Sequence, residues 1–333
     1  MRFAGIQQIV IVFLLVMCSS VDSSLMDNLS KLKKPTATIE KVDIDSISFR
    51  DVNLLFNIGI DNPYPLGIKL DNVKFRFDIE NNKLFETSTP KGLSIKARDK
   101  TITPFIVNLE YLKIQKIVKN YSKKDYLNCE VTSTVVLHVP KKLAGLKDYL
   151  TFTYKHKIKI PALKPVIKIK NFKVNAPSVA DISNAIKESG KKNLNAEKVA
   201  SLFGDLLKGK KVSSDDLVPS DLDVKLDVNF DIEIENKTRA KMFFKDLSYS
   251  FFMNGEDIFK GNTKDTVTKG NKMILKVANQ LSSKAMGKGV MKVFKDKKGL
   301  FGIKGQTFIN LPEKIKKEPL KLAIDENGSF DVK

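Results

Sequence analysis

The chain has 333 residues, of which 42% are hydrophobic, so it holds enough apolar material for packed cores and is not disordered as a whole. Two cysteines and two histidines exclude a disulfide scaffold and a four-thiolate zinc site. Lysine and arginine exceed aspartate and glutamate by 58 − 38 = 20, an excess that suggests an anionic partner such as a nucleic acid or a membrane surface.

The beginning of the chain has the layout of a secretory signal peptide. A single basic residue, Arg2, precedes an apolar run from Ile9 to Met17, which is too short to span a bilayer. Cys18 directly follows this run and resembles the acylated cysteine of a bacterial lipoprotein signal. Met17 departs from that motif, which has a small residue there.

These features predict an exported protein of the bacterial cell envelope, with the membrane as its partner through a lipid on Cys18. Residues 1–18 are the signal peptide in this interpretation, and residues 19–34 are a polar tether. Ordinary cleavage after Ser20 or Ser23 is the alternative and would leave no anchor. The inner or outer membrane as the site of anchoring and the oligomeric state stay open.

Two long stretches of the chain are similar to one another. Residues 52–85 and 226–259 align without a gap at an offset of 174, which places Phe56 on Phe230 and Asn62 on Asn236. So long an offset indicates two copies of a whole domain. In both copies apolar and polar residues alternate, the pattern of half-buried antiparallel strands. The apolar positions are Leu54, Phe56, Ile58, Ile60, Val73, Phe75, Phe77 and Ile79, repeated at Val228, Phe230, Ile232, Ile234, Leu247, Tyr249, Phe251 and Met253.

The fold class predicted from this pattern is mainly β: two tandem antiparallel β-sandwiches of the immunoglobulin or fibronectin kind, each with one short α-helix. Further strands are expected at 36–48, 101–110, 128–139 and 151–160, and the two helices at about 112–122 and 281–295. The domain boundaries are 35–162 for the first sandwich, 163–312 for the second with a helical insert at 175–220, and 313–333 for a C-terminal β-hairpin tail.

The insert follows from a second offset. Residues 35–44 resemble 165–174 at an offset of 130, so the second copy has 174 − 130 = 44 additional residues. Pro177 suits the first turn of a helix. A later helix presents an apolar stripe, for which packing on the second sandwich is favoured and docking to a lipid, membrane or partner is the alternative. The stripe consists of Val199, Leu202, Phe203, Leu206 and Leu207.

The C-terminal tail contains a turn signal. Asn327-Gly328 lies between Leu320–Ile324 and the apolar residues Phe330 and Val332. Asn-Gly between alternating apolar runs predicts a β-hairpin.

The run from Phe56 to Ile68, with Asn62-Pro63-Tyr64 at the end of its strand, resembles group 2 late embryogenesis abundant proteins, whose domain is also called the water stress and hypersensitive response domain. The second copy keeps Asn236 but has Lys237 in place of the proline. The resemblance implies an ordered sandwich linked to desiccation stress, and it implies that lipid occupies the space between the sheets in some relatives. Phe56, Ile58, Phe75 and Phe77 would line that space, whereas Asn62, Pro63 and Tyr64 are interpreted as a turn.

A catalytic, metal or cofactor site is not expected. Cys129 and His138 are nine residues apart in one predicted strand, a separation that places them on opposite faces. No nucleotide-binding, zinc-protease or nucleophile-elbow motif is present. One run of carboxylates alternates with apolar residues along a strand. A solvated face is favoured for it over a calcium site; its members are Asp227, Asp231, Glu233 and Glu235.

The positive charge is spread evenly along the chain. Residues 1–164 carry 26 − 16 = +10 and residues 165–333 carry 32 − 22 = +10, and only five of the 58 cations are arginine. Because readout of bases favours arginine, no nucleic-acid partner is expected. The sequence therefore predicts a non-enzymatic, envelope-anchored stress protein. A lipid-binding or lipid-transfer module and an adhesin for acidic polymers are the two alternatives.

Overall fold

The computed structural model describes residues 33–89, 93–138, 149–190, 193–212, 222–244, 246–263, 265–313 and 315–332. The predicted signal peptide, Cys18 and residues 19–32 of the predicted tether lie outside these ranges. The first eight strands are β1 (Thr36–Ser48), β2 (Asp51–Asn62), β3 (Ile68–Ile79), β4 (Asn82–Ser88), β5 (Leu93–Ile95), β6 (Asp99–Glu110), β7 (Tyr126–His138) and β8 (Tyr149–Pro161). The next eight are β9 (Pro165–Asn175), β10 (Lys225–Asn236), β11 (Ser248–Met253), β12 (Glu256–Asn262), β13 (Asp265–Lys269), β14 (Lys272–Ser282), β15 (Lys298–Ile309) and β16 (Leu320–Asp331). The α-helices are α1 (Tyr111–Ile117), α2 (Val179–Glu188), α3 (Ala196–Leu207) and α4 (Lys288–Asp296).

The chain divides into two compact units. The first contains residues up to Asp43, Leu54–Val107 and Asn128–Ile158, and the second contains Ile44–Asn53, Asn108–Leu127 and Lys159 onwards. In the first unit the strands pair in the orders β1-β2-β6 and β4-β3-β7-β8, with β5 beside β3. In the second they pair in the orders β13-β14-β10-β9 and β12-β11-β15-β16, and residues 46–48 of β1 pair in parallel with β16.

Alternation along the strands produces the core of the first unit. Phe56 on β2 and Phe75 and Phe77 on β3 are buried, and the Phe56 and Phe75 ring centroids lie 4.7 Å apart. The Phe77 ring also stacks on Phe85 of β4 at 5.0 Å. Since β2 and β3 belong to different sheets, these rings join the two layers of a sandwich.

The second unit repeats this arrangement. Phe230 on β10 and Phe251 on β11 are buried with ring centroids 4.8 Å apart, and Phe251 stacks on Phe259 of β12 at 5.3 Å. Phe172 of β9 and Phe330 of β16 extend the cluster at 4.6 Å from one another. The aromatic rings again connect two sheets.

Backbone details recur at the same offset as the sequence. The β3–β4 pairing shifts register after Phe77, and the β11–β12 pairing shifts after Phe251. Each of these hairpins turns through two residues with positive φ, which are Glu80 and Asn81 in the first and Asn254 and Gly255 in the second. The predicted mainly-β fold of antiparallel sandwiches is confirmed.

The insert forms helices α2 and α3 in the second unit. Ser178 caps α2 by accepting a hydrogen bond from the Asp181 backbone N–H at 3.1 Å, so Pro177 precedes the cap and does not lie in the first helical turn as predicted. Asn195 caps α3 in the same way at 3.0 Å. The second predicted helix, at 281–295, begins later, because residues up to Ser282 continue strand β14 and a 3₁₀ turn follows before α4.

The predicted C-terminal hairpin is wrong. Strand β16 continues through Asn327-Gly328, pairs with β15 from Leu320 to Asp331, and neither residue has the positive φ that such a turn requires. Gly328 is directly opposite Phe301, and a Cβ on Gly328 would lie 2.7 Å from the Phe301 ring. The glycine therefore provides room for a cross-strand aromatic ring and does not form a turn.

We expect Gly328→Ala to lower the free energy of unfolding by about 1–3 kcal/mol, because the new methyl group would displace the Phe301 ring. The matched control is Gly204→Ala in α3, where a Cβ meets no atom within 4 Å. That substitution should raise stability by about 1 kcal/mol through helix propensity. Urea denaturation measures both; a Gly328→Ala protein as stable as the parent would contradict the strand.

Candidate functional site

The asparagine of the family motif holds the loop that leads from β2 to β3. Asn62 is buried at the end of β2, and its Nδ2 donates to the backbone oxygens of Leu66 and Lys96, both at 2.8 Å. Its Oδ1 accepts from the Tyr64 backbone N–H at 3.2 Å. Tyr64 is buried beside it, whereas Pro63 is half-buried. The amide is thus occupied by the backbone of this loop and by that of Lys96, which follows β5.

The second copy repeats the bond from Nδ2 to the backbone oxygen four residues on, without the proline, and its other partners differ. Asn236 is buried at the end of β10, and its Nδ2 donates to Ala240 O at 2.7 Å and to Thr238 Oγ1 at 2.9 Å. Its Oδ1 accepts from the Lys164 backbone N–H at 2.8 Å. Because the contacts in both copies are internal, the geometry favours a turn-forming role for Asn62 and Asn236.

We expect Asn62→Ala to destabilise the protein by about 2 kcal/mol, because two part-buried carbonyl groups and one buried N–H would lose their partner. The control is Asn108→Ala, which removes an exposed side chain bonded to Asn53 at 2.9 Å and should change stability by less than about 0.5 kcal/mol. Urea unfolding compares the two. A ligand-binding role for Asn62 would instead leave stability nearly unchanged.

The four residues assigned to a lipid-lined interior are all buried, and the three aromatic ones contact one another. Phe56, Ile58, Phe75 and Phe77 are each at most 1% exposed, and the three rings have centroid separations of 4.7 to 6.3 Å. Rings at these distances are in van der Waals contact, so they fill the interior of the first sandwich.

The apolar stripe of the insert faces inward. Val199, Phe203 and Leu206 are buried, and Leu202 and Leu207 are half-buried. Helix α3 contacts α2 and α4, and the Lys297 Nζ donates to the Leu207 backbone oxygen at the end of α3. The stripe is therefore used for packing inside the second unit.

The carboxylates of β10 have cationic and amide neighbours. Glu233 forms an ion pair with Lys272 at 3.1 Å, and Asp231 accepts from the Asn171 Nδ2 at 2.6 Å. Glu235 pairs with Lys237 at 2.5 Å, and this hydrogen bond lowers the pKa of the Glu235 carboxyl group. Asp227 accepts from Gln280 at 3.2 Å. Among the residues that the structure describes, no group of three or more histidine, cysteine, aspartate or glutamate side chains has a metal-binding arrangement.

The cysteine and histidines do not form a catalytic constellation. Cys129 is buried on β7, and burial raises the pKa of its thiol to about 12, which keeps the thiol protonated and unreactive. His138 is at the exposed end of the same strand, 5.1 Å from the Tyr149 ring. His156 on β8 has a buried Nε2 without a hydrogen-bond partner among the described residues, and desolvation lowers its pKa.

We expect the His156 ring to titrate below 6.5 in the folded protein. Since the unfolded chain then binds more protons than the folded one as the pH falls through about 6.5, His156 makes the protein less stable in acid. The decrease in the free energy of unfolding grows as the pH falls to the pKa of His156 in the folded protein, and it is constant below that pH. His156→Gln should reduce the pH dependence of stability in this window. NMR titration checks the pKa, and a midpoint above 6.5 would refute the assignment.

A groove rich in lysine lies between the end of the insert and α4, within the second unit. We call it the lysine groove; its volume is about 500 Å³. It is lined by Leu206, Lys210, Lys211, Val212, Lys288, Met291, Lys292, Lys295 and Asp296. The spacing of Lys288, Lys292 and Lys295 along one helical face was a signal in the sequence. Their approach to Lys210 and Lys211 depends on packing of the insert, which local patterns do not show.

These features define a class of protein: an ordered, mainly β chain of antiparallel sandwiches in which the shared motif builds a turn. No helix in the described part of the chain is long and apolar enough to cross a membrane.

The curated relatives agree with the resemblance seen in the sequence. The chain is 22% identical over 142 residues to late embryogenesis abundant protein Lea14-A of Gossypium hirsutum, covering 43% of this chain and 92% of that protein. It is 19% identical over 140 residues to desiccation-related protein PCC27-45 of Craterostigma plantagineum, covering 42% and 91%. Nearly the whole of each relative thus matches less than half of this chain, as expected for a chain with two copies. The resemblance to group 2 late embryogenesis abundant proteins is confirmed.

No family model matches the chain. Among solved structures, it is similar to an Arabidopsis thaliana protein determined in solution, with 19% identity, a TM-score of 0.31 and coverage of 39% of this chain and 83% of that one. A late embryogenesis abundant protein, also determined in solution, has 16% identity, a TM-score of 0.32 and coverage of 44% and 88%.

Proposed function

We propose that the protein is a folded, non-enzymatic stress protein that protects the cell envelope of a bacterium during loss of water, held at a membrane by acylated Cys18. The observation that carries this proposal is the similarity to a late embryogenesis abundant protein and a desiccation-related protein over about nine-tenths of their lengths. The signal-like start of the chain, with Cys18 after its apolar run, supports the location.

The surface of the second sandwich suits conditions of low water. Glu233 and Glu235 each have a lysine within 3.1 Å, so these carboxylates are already neutralised by a protein group. An isolated charge depends on water for its solvation, whereas a paired charge depends on it less. Together with interiors filled by aromatic rings, this pairing favours a fold that persists as water is removed.

Lipid carriage in the interior has no supporting observation, because Phe56, Phe75 and Phe77 occupy that space with their own rings. We therefore retain the protective role.

The proposal is tested by fatty-acid labelling and survival of drying in one set of cells. The native protein should carry the label and raise survival above that of cells without the protein. Cys18→Ala should carry none and protect less, because the protein would no longer be held at the membrane.

Cys129→Ala is the matched control, since it removes the other cysteine, which is buried. It should keep the label. Label retained by Cys18→Ala would remove the anchor from the proposal, and equal survival with and without the protein would overturn the protective role.

A further inference from the structure

We propose that the lysine groove is a docking surface for an anionic phospholipid bilayer. The inference deepens the proposed envelope function, because it names the surface by which the folded part of the chain contacts a membrane. The contact itself does not require the lipid on Cys18.

The charge of the groove is strongly positive. Five lysines and one aspartate line it, which gives a formal charge of 5 − 1 = +4. Lys210 is paired with Asp205 at 2.8 Å. The other four lysines have no ion-pair partner among the described residues; they are Lys211, Lys288, Lys292 and Lys295. Unneutralised cations at one place attract a polyanionic surface.

The structure of the helices explains only part of this clustering. Helix α3 ends at Leu207 and α4 ends at Asp296, and the Lys297 Nζ donates to the carbonyl of Leu207. Lysines near these ends interact favourably with the helix dipoles. Lys288, however, is the first residue of α4, where positive charge opposes the dipole, and it repels Lys292, four residues further on. The carboxylate of Glu256 accepts from the Gly289 backbone N–H at 2.8 Å and offsets part of this charge. An anionic surface at the groove would relieve the repulsion between Lys288 and Lys292.

The groove is amphipathic, which favours a bilayer over other polyanions. Leu206 is buried at its floor, and Met291 and Val212 are half-buried in its wall. Lysine side chains can direct their amines to phosphate groups while their methylene stems cover apolar surface. Protein interfaces are depleted in lysine, and recognition of nucleic acid or phosphopeptides favours the planar arginine, which does not line the groove.

The insert is what completes the groove. Helix α1, in the first sequence copy, also carries exposed lysines, Lys113 and Lys116, with Lys119 just after its end. The first copy has no insert to provide a second wall. These three lysines therefore give a control with the same charge change on a similar helix.

The test compares the full chain with two triple variants, K288Q/K292Q/K295Q and K113Q/K116Q/K119Q. Sedimentation is measured with phosphatidylcholine vesicles and with vesicles that also contain phosphatidylglycerol. The ratio of the two affinities isolates the effect of anionic lipid, since a lipid or apolar segment on the chain contributes to both. The groove variant should lose about 100-fold in this ratio, and the α1 variant should change little. Added salt should lower this ratio of affinities for the unsubstituted chain.

Acetylation of lysine, read by mass spectrometry on the native chain, locates the contact. Labelling of Lys288, Lys292 and Lys295 should fall several-fold with anionic vesicles, whereas labelling of Lys113 should not. Equal loss for the two triple variants would overturn the proposal, because it would show a diffuse charge effect. The proposal would also be overturned if a soluble acidic polysaccharide, but not vesicles, reduced acetylation of these three lysines. It would be overturned as well if they resisted acetylation before any vesicle is added. If the protein carries no fatty-acid label but anionic vesicles still reduce acetylation of the groove lysines, the anchor is refuted and the docking surface is supported.

Discussion

The crossing of the chain from one sheet to the other depends on a single buried amide in each copy. A strand that leaves its sheet inside a sandwich carries backbone groups that its ladder no longer pairs, and these must find partners away from water. Asn62 and Asn236 supply them: each bonds the loop that follows its strand, and each also bonds a second connection, at Lys96 O and at the Lys164 N–H respectively. The crossing brings Phe56 against Phe75 and Phe230 against Phe251, so the aromatic contacts between the layers depend on it.

The second copy differs from the first by an insertion that changes its surface more than its core. The stripe of α3 is used internally, and the consequence is that Lys210 and Lys211 lie beside the lysine face of α4. Helix α3 is inserted in the sequence between strands β9 and β10. Because its apolar side packs against α2 and α4, it adds a groove while the strands of the sheets keep their pairing.

The strands and the repeat could be predicted from the sequence, because alternation has a period of two that matches the pleat and because Phe56 and Asn62 recur at a fixed offset. The sequence could not show that Asn327-Gly328 lies within a strand and does not form a hairpin turn. A glycine required by a turn and a glycine required by the facing ring of Phe301 look alike until the cross-strand partner is known. The asparagine motif predicts a turn from local residues, but one of the three hydrogen bonds of Asn62 reaches Lys96, which is 34 residues away and which no local pattern indicates.

The same limit applies to the charge. A net charge of +20 divided evenly between two halves indicates no particular surface, and an even spread along the chain is compatible with very uneven pairing in space. On β10, Glu233 is paired with Lys272 of the neighbouring strand β14 and Glu235 with Lys237 just after β10, so these charges are locally neutralised. On α4, Lys288 and Lys292 have no such partner among the described residues, and they lie four residues apart, where like charges repel. A cluster of like charges without an ion-pair partner in the described part of the chain is therefore the place where contact with an anionic surface would be most favourable.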